Sequence, residues 1–314
     1  MLETFITLGY LVAAILFIFG LAQMSKVRTS RQGNLLAGLG MLMAIVLTLA
    51  HIGIVDYRYI LAGIVLGSVI GWITAVRVHM TQMPEMVALF NGSGGAASAL
   101  VALATLWLHV IEEGRDETLD AVLGTSSALT VGLSVLIGAV TLSGSVVGYL
   151  KLKGSLKKGQ PILLPGRHVI NAILGLAALW LIVELGMVAV GQDTAIVALA
   201  LAAVSVALGV LLVIPIGGAD MPVVVCLLNS YSGMAASATG FVLNNNLLII
   251  SGALVGSSGL ILTQIMCVAM NRSLLNVLAG ALFRRCGGGC GIGRLMILSP
   301  RSTSLWGTGI VRWC

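Results

Sequence analysis

Charge is what this sequence lacks most. Only 9% of its 314 residues are charged, against about 25% in a soluble domain, while 58% are hydrophobic. A chain so poor in charge cannot clothe a folded surface in polar groups, which excludes a water-soluble globular protein and makes lipid the solvent for most of its length. Acids are scarcer still within the apolar stretches, where Glu184 alone falls. Missing too are a nucleophile paired with a base, a cluster of metal-ligating residues and a phosphate-binding loop, so no catalytic, cofactor-binding or metal-binding residue is expected here. Of five cysteines, Cys226 and Cys267 sit in apolar runs and read as small core residues. Cys286 and Cys290 have no histidine or second cysteine pair near them. The start Met1-Leu2-Glu3-Thr4 lacks the basic region of a cleaved signal peptide, and the first apolar run is expected to stay in the membrane.

What the sequence does have is a series of apolar runs of the length that crosses a hydrocarbon core as a helix, about 17 to 25 residues. They lie at roughly 5–24, 33–54, 59–76, 86–110, 122–149, 169–190, 194–216, 221–243 and 247–270. The apolar residues are continuous rather than alternating, which predicts helices and not barrel strands, because a backbone in lipid must satisfy its own hydrogen bonds. The expected fold is therefore all-α, a polytopic bundle of about nine transmembrane helices.

The net charge of +6 does not point to nucleic acid, because the basic residues follow the positive-inside rule. With the amino terminus outside, the inner loops hold Lys26, Arg28, Arg31, Arg77, Lys151, Lys153, Lys157, Lys158 and Arg167, and the outer loops only Arg58 and Arg115. Nine spans then put the carboxyl terminus on the cytoplasmic side.

A two-helix unit occurs twice with one orientation. Met83-Pro84-Glu85-Met86-Val87-Ala88-Leu89-Phe90-Asn91 aligns with Met221-Pro222-Val223-Val224-Val225-Cys226-Leu227-Leu228-Asn229, and the register continues to Gly95 with Gly233 and Ala97 with Ala235. The returning helices share Gly138-Ala139-Val140 and Gly252-Ala253-Leu254. This is the pattern of parallel repeats in transporters. Each proline suits the first turn of a helix, and the small residues that follow let helix backbones approach closely.

Polar residues inside such spans are costly and mark candidate sites. Asn91 lies about two turns from the inner end of its helix and Asn229 at the same depth by the repeat, with Asn171, Ser143 and Ser145 also in the inner third. Two readings are open: a relay of water or protons through amides and hydroxyls, or interhelical bonds worth about 0.6 kcal/mol each. His51, near the outer end of the second span, is the one histidine well inside an apolar run. Asp220, in Gly217-Gly218-Ala219-Asp220-Met221-Pro222, either caps the following helix or contacts a soluble partner.

Together these strings resemble the beta subunit of proton-translocating NAD(P) transhydrogenase. The likeness rests on Ile216-Gly217-Gly218-Ala219-Asp220-Met221-Pro222, Leu228-Asn229-Ser230-Tyr231-Ser232-Gly233 and Gly252-Ala253-Leu254-Val255-Gly256-Ser257-Ser258-Gly259. Thr29-Ser30-Arg31-Gln32-Gly33 and Ala269-Met270-Asn271-Arg272-Ser273 agree as well, so it covers about residues 5–275. The resemblance implies a Re/Si-specific complex in the plasma (inner) membrane that couples hydride transfer between NADH and NADP to proton translocation. Its partners would be an alpha subunit and an NADP-binding domain normally in the same chain, and the complex would be a dimer.

Within that family Asp220, Asn229 and Ser145 match positions of the proton path or of its coupling to the nucleotide domain. Asn91 stands where many bacterial members have histidine, so the titrating group is His51 or comes from the alpha subunit. Residues 1–275 are then the transmembrane domain. Residues 276–314, an Arg/Cys/Gly-rich segment expected to be disordered, stand in place of the NADP-binding domain, so NADP(H) and NAD(H) belong to the intact complex and neither binds this chain alone. Two competing readings are an independent secondary transporter built on the repeat and an inactive truncated fragment.

Overall fold

A computed structural model describes residues 2–24, 26, 28–51, 57–113, 125–187, 192–271 and 273–278. Among them are nine helices long and apolar enough to cross a membrane. These are α1 (Leu2–Met24), α2 (Ser30–His51), α3 (Arg58–Arg77), α4 (Met83–Glu113), α5 (Thr125–Leu152), α6 (Arg167–Met187), α7 (Gln192–Val213), α8 (Met221–Val242) and α9 (Asn246–Ala269). A short α10 (Leu274–Leu278) follows and straddles the expected boundary at 275. The described residues contain no strand, in keeping with the all-α expectation. Residues 114–124 with Arg115, Arg272, and the 279–314 stretch with Cys286 and Cys290 lie outside the described residues.

Helix ends differ from the sequence expectation where local chemistry intervenes. α7 stops at Val213 rather than at 216, because Pro215 disfavours helical backbone at Ile214 and brings no N–H of its own. α5, described from Thr125, runs on to Leu152, so Lys151 falls within the helix. Between α8 and α9 the chain reverses through Asn244, whose φ is +50°. Asn245 then caps α9, its Oδ1 accepting from the amides of Leu247 (3.1 Å) and Leu248 (3.2 Å).

The repeat seen in the sequence is a repeat in space. Each unit opens with a single 3₁₀ turn, Met80–Gln82 before α4 and Gly218–Asp220 before α8. Each then packs its two helices through a pair of equivalent glycines. A Cβ added at Gly95 would lie 2.8 Å from the Gly138 carbonyl, and one at Gly138 would lie 2.6 Å from that of Gly95. At Gly233 and Gly252 the reciprocal approaches to each other's carbonyls are both 2.8 Å. Glycine is needed here because the backbones themselves are in contact.

α5 is the central helix, packed by α4, α6, α7 and α8. One apolar cluster joins Leu106, Val131, Val135, Ile182, Leu185 and Leu201 of α4 to α7. A second, at the end that carries the basic loops, joins Val147, Val213, Ile216, Met221, Val224, Cys267 and Val277. The hairpin of α1 and α2 is held by a bond between Tyr10 Oη and Thr48 Oγ1 (2.9 Å) and meets the rest where Ala13 and Ala14 touch Leu247 of α9. α3 has no buried residue.

Candidate functional site

The small residues of the repeat bring α4, α5 and α8 into close contact. A Cβ added at Gly92 would lie 3.0 Å from Ser145 Cβ and 3.8 Å from its Oγ. Immediately before Gly92, Asn91 is 8% exposed, and its Nδ2 donates to the Val225 carbonyl of α8 at 3.2 Å. In the helical ladder that carbonyl also accepts from the amide of Asn229, so Asn91 is anchored one turn below Asn229, which is half-buried. Ser145 is wholly buried, and its Oγ has no hydrogen-bond partner. A buried hydroxyl left in that condition costs about 1–3 kcal/mol, a loss that a bound water would offset. The crossing is therefore a polar site within an apolar bundle, with a group that demands solvent.

The remaining expected residues are placed elsewhere. Ser143 turns away from the crossing: its Oγ donates back to the Ala139 carbonyl (3.0 Å) and faces Gly209 of α7. Asn171 stands on α6, which packs against α7 and α5, and its buried Oδ1, like the Ser145 hydroxyl, has no hydrogen-bond partner. His51 is the last residue of α2, whose packing is against α1. Asp220 occupies the N-cap position of α8 without a side-chain capping bond, which removes the capping reading. It is half-buried on the turn at the basic end, below Asn91 and Ser145.

A second polar layer lies further along the same three helices and was not singled out in the sequence. Ser134 Oγ and Thr239 Oγ1 are 2.7 Å apart, and both hydroxyls reach the Ser98 carbonyl, at 3.3 and 3.4 Å. Thr239 also donates to the Ala235 carbonyl at 2.9 Å. Spacing carried the signal: Ser98 follows Asn91 by seven residues and Ser134 precedes Ser145 by eleven, which returns each to the same helix face. Unlike that of Ser145, the hydroxyls of Ser134 and Thr239 both have partners.

Among the described residues no three His, Cys, Asp or Glu side chains converge to hold a metal. The described residues do not fit a nicotinamide dinucleotide either. The glycine turns at the basic end are packed on one another, a Cβ at Gly218 lying 3.3 Å from the Gly159 carbonyl. They thus present no open nest of backbone N–H groups to a pyrophosphate.

Comparison with known proteins agrees with this architecture. The model of the family described as NAD(P) transhydrogenase beta subunit matches residues 6–290. Two relatives from Rhodospirillum rubrum, both named NAD(P) transhydrogenase subunit beta, are 42% identical over 272 residues, covering 87% of this chain and 57% of each relative. The chain thus spans little more than half the length of these curated relatives. The family match takes in the paired glycine crossings, the Asn91–Ser145 crossing and the turn at Asp220 alike, and the chain belongs to the NAD(P) transhydrogenase beta subunit family.

Proposed function

We propose that this chain conducts protons through the membrane part of a proton-translocating, Re/Si-specific NAD(P) transhydrogenase and thereby couples hydride transfer between NADH and NADP to proton translocation. The observation that carries this reading is the buried Ser145 hydroxyl without a partner, packed against Gly92, the residue that follows Asn91 and its bond to the Val225 carbonyl. Packing alone has no use for such a group, and intramembrane polar groups mark ion and proton pathways.

The mechanism is alternating access. Asn91, Ser145 and Asn229 order water and pass protons, but amides and hydroxyls do not titrate near neutral pH. The proton-accepting group is therefore His51 or a group on the helices of an alpha subunit. Protonation shifts α4, α5 and α8 relative to one another, and the Gly217–Asp220 turn transmits the shift to a docked NADP-binding domain. The coupling is reciprocal, so bound nucleotide shifts proton affinity equally. Hydride transfer takes place on the nucleotide domains, and no step of it falls on the membrane helices described above. The chain sits in the plasma (inner) membrane with its amino terminus outside and its basic loops and carboxyl terminus cytoplasmic. It joins an alpha subunit in a dimeric complex.

The test is transhydrogenation and proton pumping in membranes where this chain is co-expressed with an alpha subunit, with and without a supplied NADP-binding domain. Activity is expected only when that domain is added. Inactivity of both preparations, or solute uptake by this chain alone in liposomes, overturns the reading. In the active preparation Asp220→Asn should lower coupled turnover about fivefold, at the low end of typical coupling free energies, with assembly unchanged on size-exclusion chromatography. Equal turnover would remove Asp220 from the coupling.

A further inference from the structure

A lysine in the last turn of a membrane span ordinarily runs its stem along the apolar surface and puts its ammonium in the interface. Lys151 does the opposite. It is 1% exposed, the largest fully buried side chain among the described residues, and its Nζ donates to the Ile214 carbonyl and, at 2.5 Å, to that of Ile216. The cause is its place on α5. Val140, Gly144, Val147 and Lys151 follow one another at four, three and four residues, a single buried stripe. That stripe faces α7 and α8, since a Cβ added at Gly144 would lie 3.1 Å from both Val213 and Leu228.

A buried cation must be hydrogen-bonded, and the carbonyls it meets are the ones in need of a donor. α7 ends at Val213, so the Ile214 carbonyl stands at a helix C-terminus, where carbonyls carry negative partial charge and lack intrahelical donors, and Ile216 lies two residues further along the turn. The Ile214 carbonyl also accepts from the Ile162 amide at 3.3 Å, so the loop between α5 and α6 closes on the same turn. Where that loop crosses the next residues, Gly159 and Gly218 meet backbone to backbone. The turn continues to Asp220, and its Ile216 packs in one cluster with Val147, Met221 and Val277 of α10. Six residues from Lys151 on the same helix stands Ser145, about 9 Å away along the axis.

We propose that Lys151 is a positioning residue that fixes the turn from Ile214 to Asp220 to the end of α5, so that the turn follows any movement of the helix bearing Ser145. The fixing of the turn stands on the geometry alone; its consequence for coupling rests on the function proposed above.

The experiment uses the full chain in detergent micelles, where trypsin reaches both faces, with cleavage after Lys157 and Lys158 followed by mass spectrometry against cleavage after Arg28 and Arg31 at the distant turn between α1 and α2. Lys151→Met keeps the stem and deletes the ammonium. It should speed cleavage at Lys157 and Lys158 about tenfold, as expected for loss of local protection, and leave Arg28 and Arg31 unchanged. An unchanged rate at Lys157 and Lys158 overturns the proposal. Faster cleavage at both loops reports unfolding, and Lys151→Arg then decides: the wild-type rate at Lys157 and Lys158 sustains the role of the cation, and a rate like that of Lys151→Met overturns it. In the complex with an alpha subunit and NADP-binding domain, Lys151→Met should also lower coupled turnover. A loosened turn with full turnover would refute the coupling role, whereas absence of turnover in the unsubstituted complex would fall on the proposed function and leave the cleavage result standing.

Discussion

Replacing Gly233 with leucine is expected to abolish accumulation of the folded chain, and leucine at Gly95 to do so as well. In neither case is there a flexible side chain to step aside. A Cβ at Gly233 would meet the Gly252 carbonyl at 2.8 Å and the backbone of Gly256, and one at Gly95 would meet the Gly138 carbonyl at 2.8 Å. Making room means separating two helices along their contact, and in lipid that contact is most of what holds a helix pair together, because no hydrophobic driving force distinguishes a neighbouring helix from an acyl chain. Overpacking in a core typically costs about 1–3 kcal/mol. Here the loss should reach the upper end, since it removes the whole crossing of a repeat unit. Gly63, Gly67 and Gly175 are the controls: a Cβ at any of them meets nothing within 4 Å. Leucine at those positions should leave the detergent-extracted, monodisperse fraction unchanged. Equal recovery of the Gly233 and Gly67 variants would show that the crossings do not hold the bundle.

That the sequence exposes this crossing at all follows from how membrane proteins encode structure. Spans were legible from apolar length, and their ends from Pro84, Pro222 and the loops. The repeat was legible because Gly95, Gly138, Gly233 and Gly252 are demanded by backbone contact and so leave a trace in register. The polar crossing was half legible. Asn91, Ser145 and Asn229 could be ranked by depth, but depth along a helix does not give the face, and Ser143 proved to face α7. The layer of Ser98, Ser134 and Thr239 was legible in principle through spacings of seven and eleven residues. Lys151 was not read as buried because a basic residue at a span's end satisfies the positive-inside pattern whether it points to water or to a helix terminus. Only the stripe it shares with Val140, Gly144 and Val147 separates the two cases. Asp220 was placed on the right turn, but whether it caps α8 depends on side-chain geometry that no sequence pattern specifies.

The contrast between the two polar layers gives the sharper prediction for the site itself. Ser145→Ala should leave thermal stability within about 0.5 kcal/mol of the parent or raise it, because the hydroxyl it deletes makes no bond to the protein and the cost of burying it is at best offset by a bound water. In the complex assembled with an alpha subunit and NADP-binding domain, the same change should lower proton-coupled turnover about a hundredfold, the scale on which positioned proton-transfer groups act. Ser134→Ala should show the reverse: a loss of about 1 kcal/mol, because its Oγ is bound to Thr239 and to the Ser98 carbonyl, with turnover held. Asn91→Leu should do both, since Asn91 precedes Gly92, which packs on Ser145, and also ties α4 to the Val225 carbonyl. The decisive comparison is between the two serines, which lie eleven residues apart on one face of α5 and differ chiefly in whether the protein satisfies them. Were Ser145→Ala to destabilise the chain while leaving turnover intact, the crossing would be interhelical glue like the layer beyond it. The proton path would then have to be sought outside the α4, α5 and α8 crossing. If instead stability and turnover separate as expected, the unsatisfied hydroxyl is kept for what it does with water and protons, because it adds nothing favourable to folding.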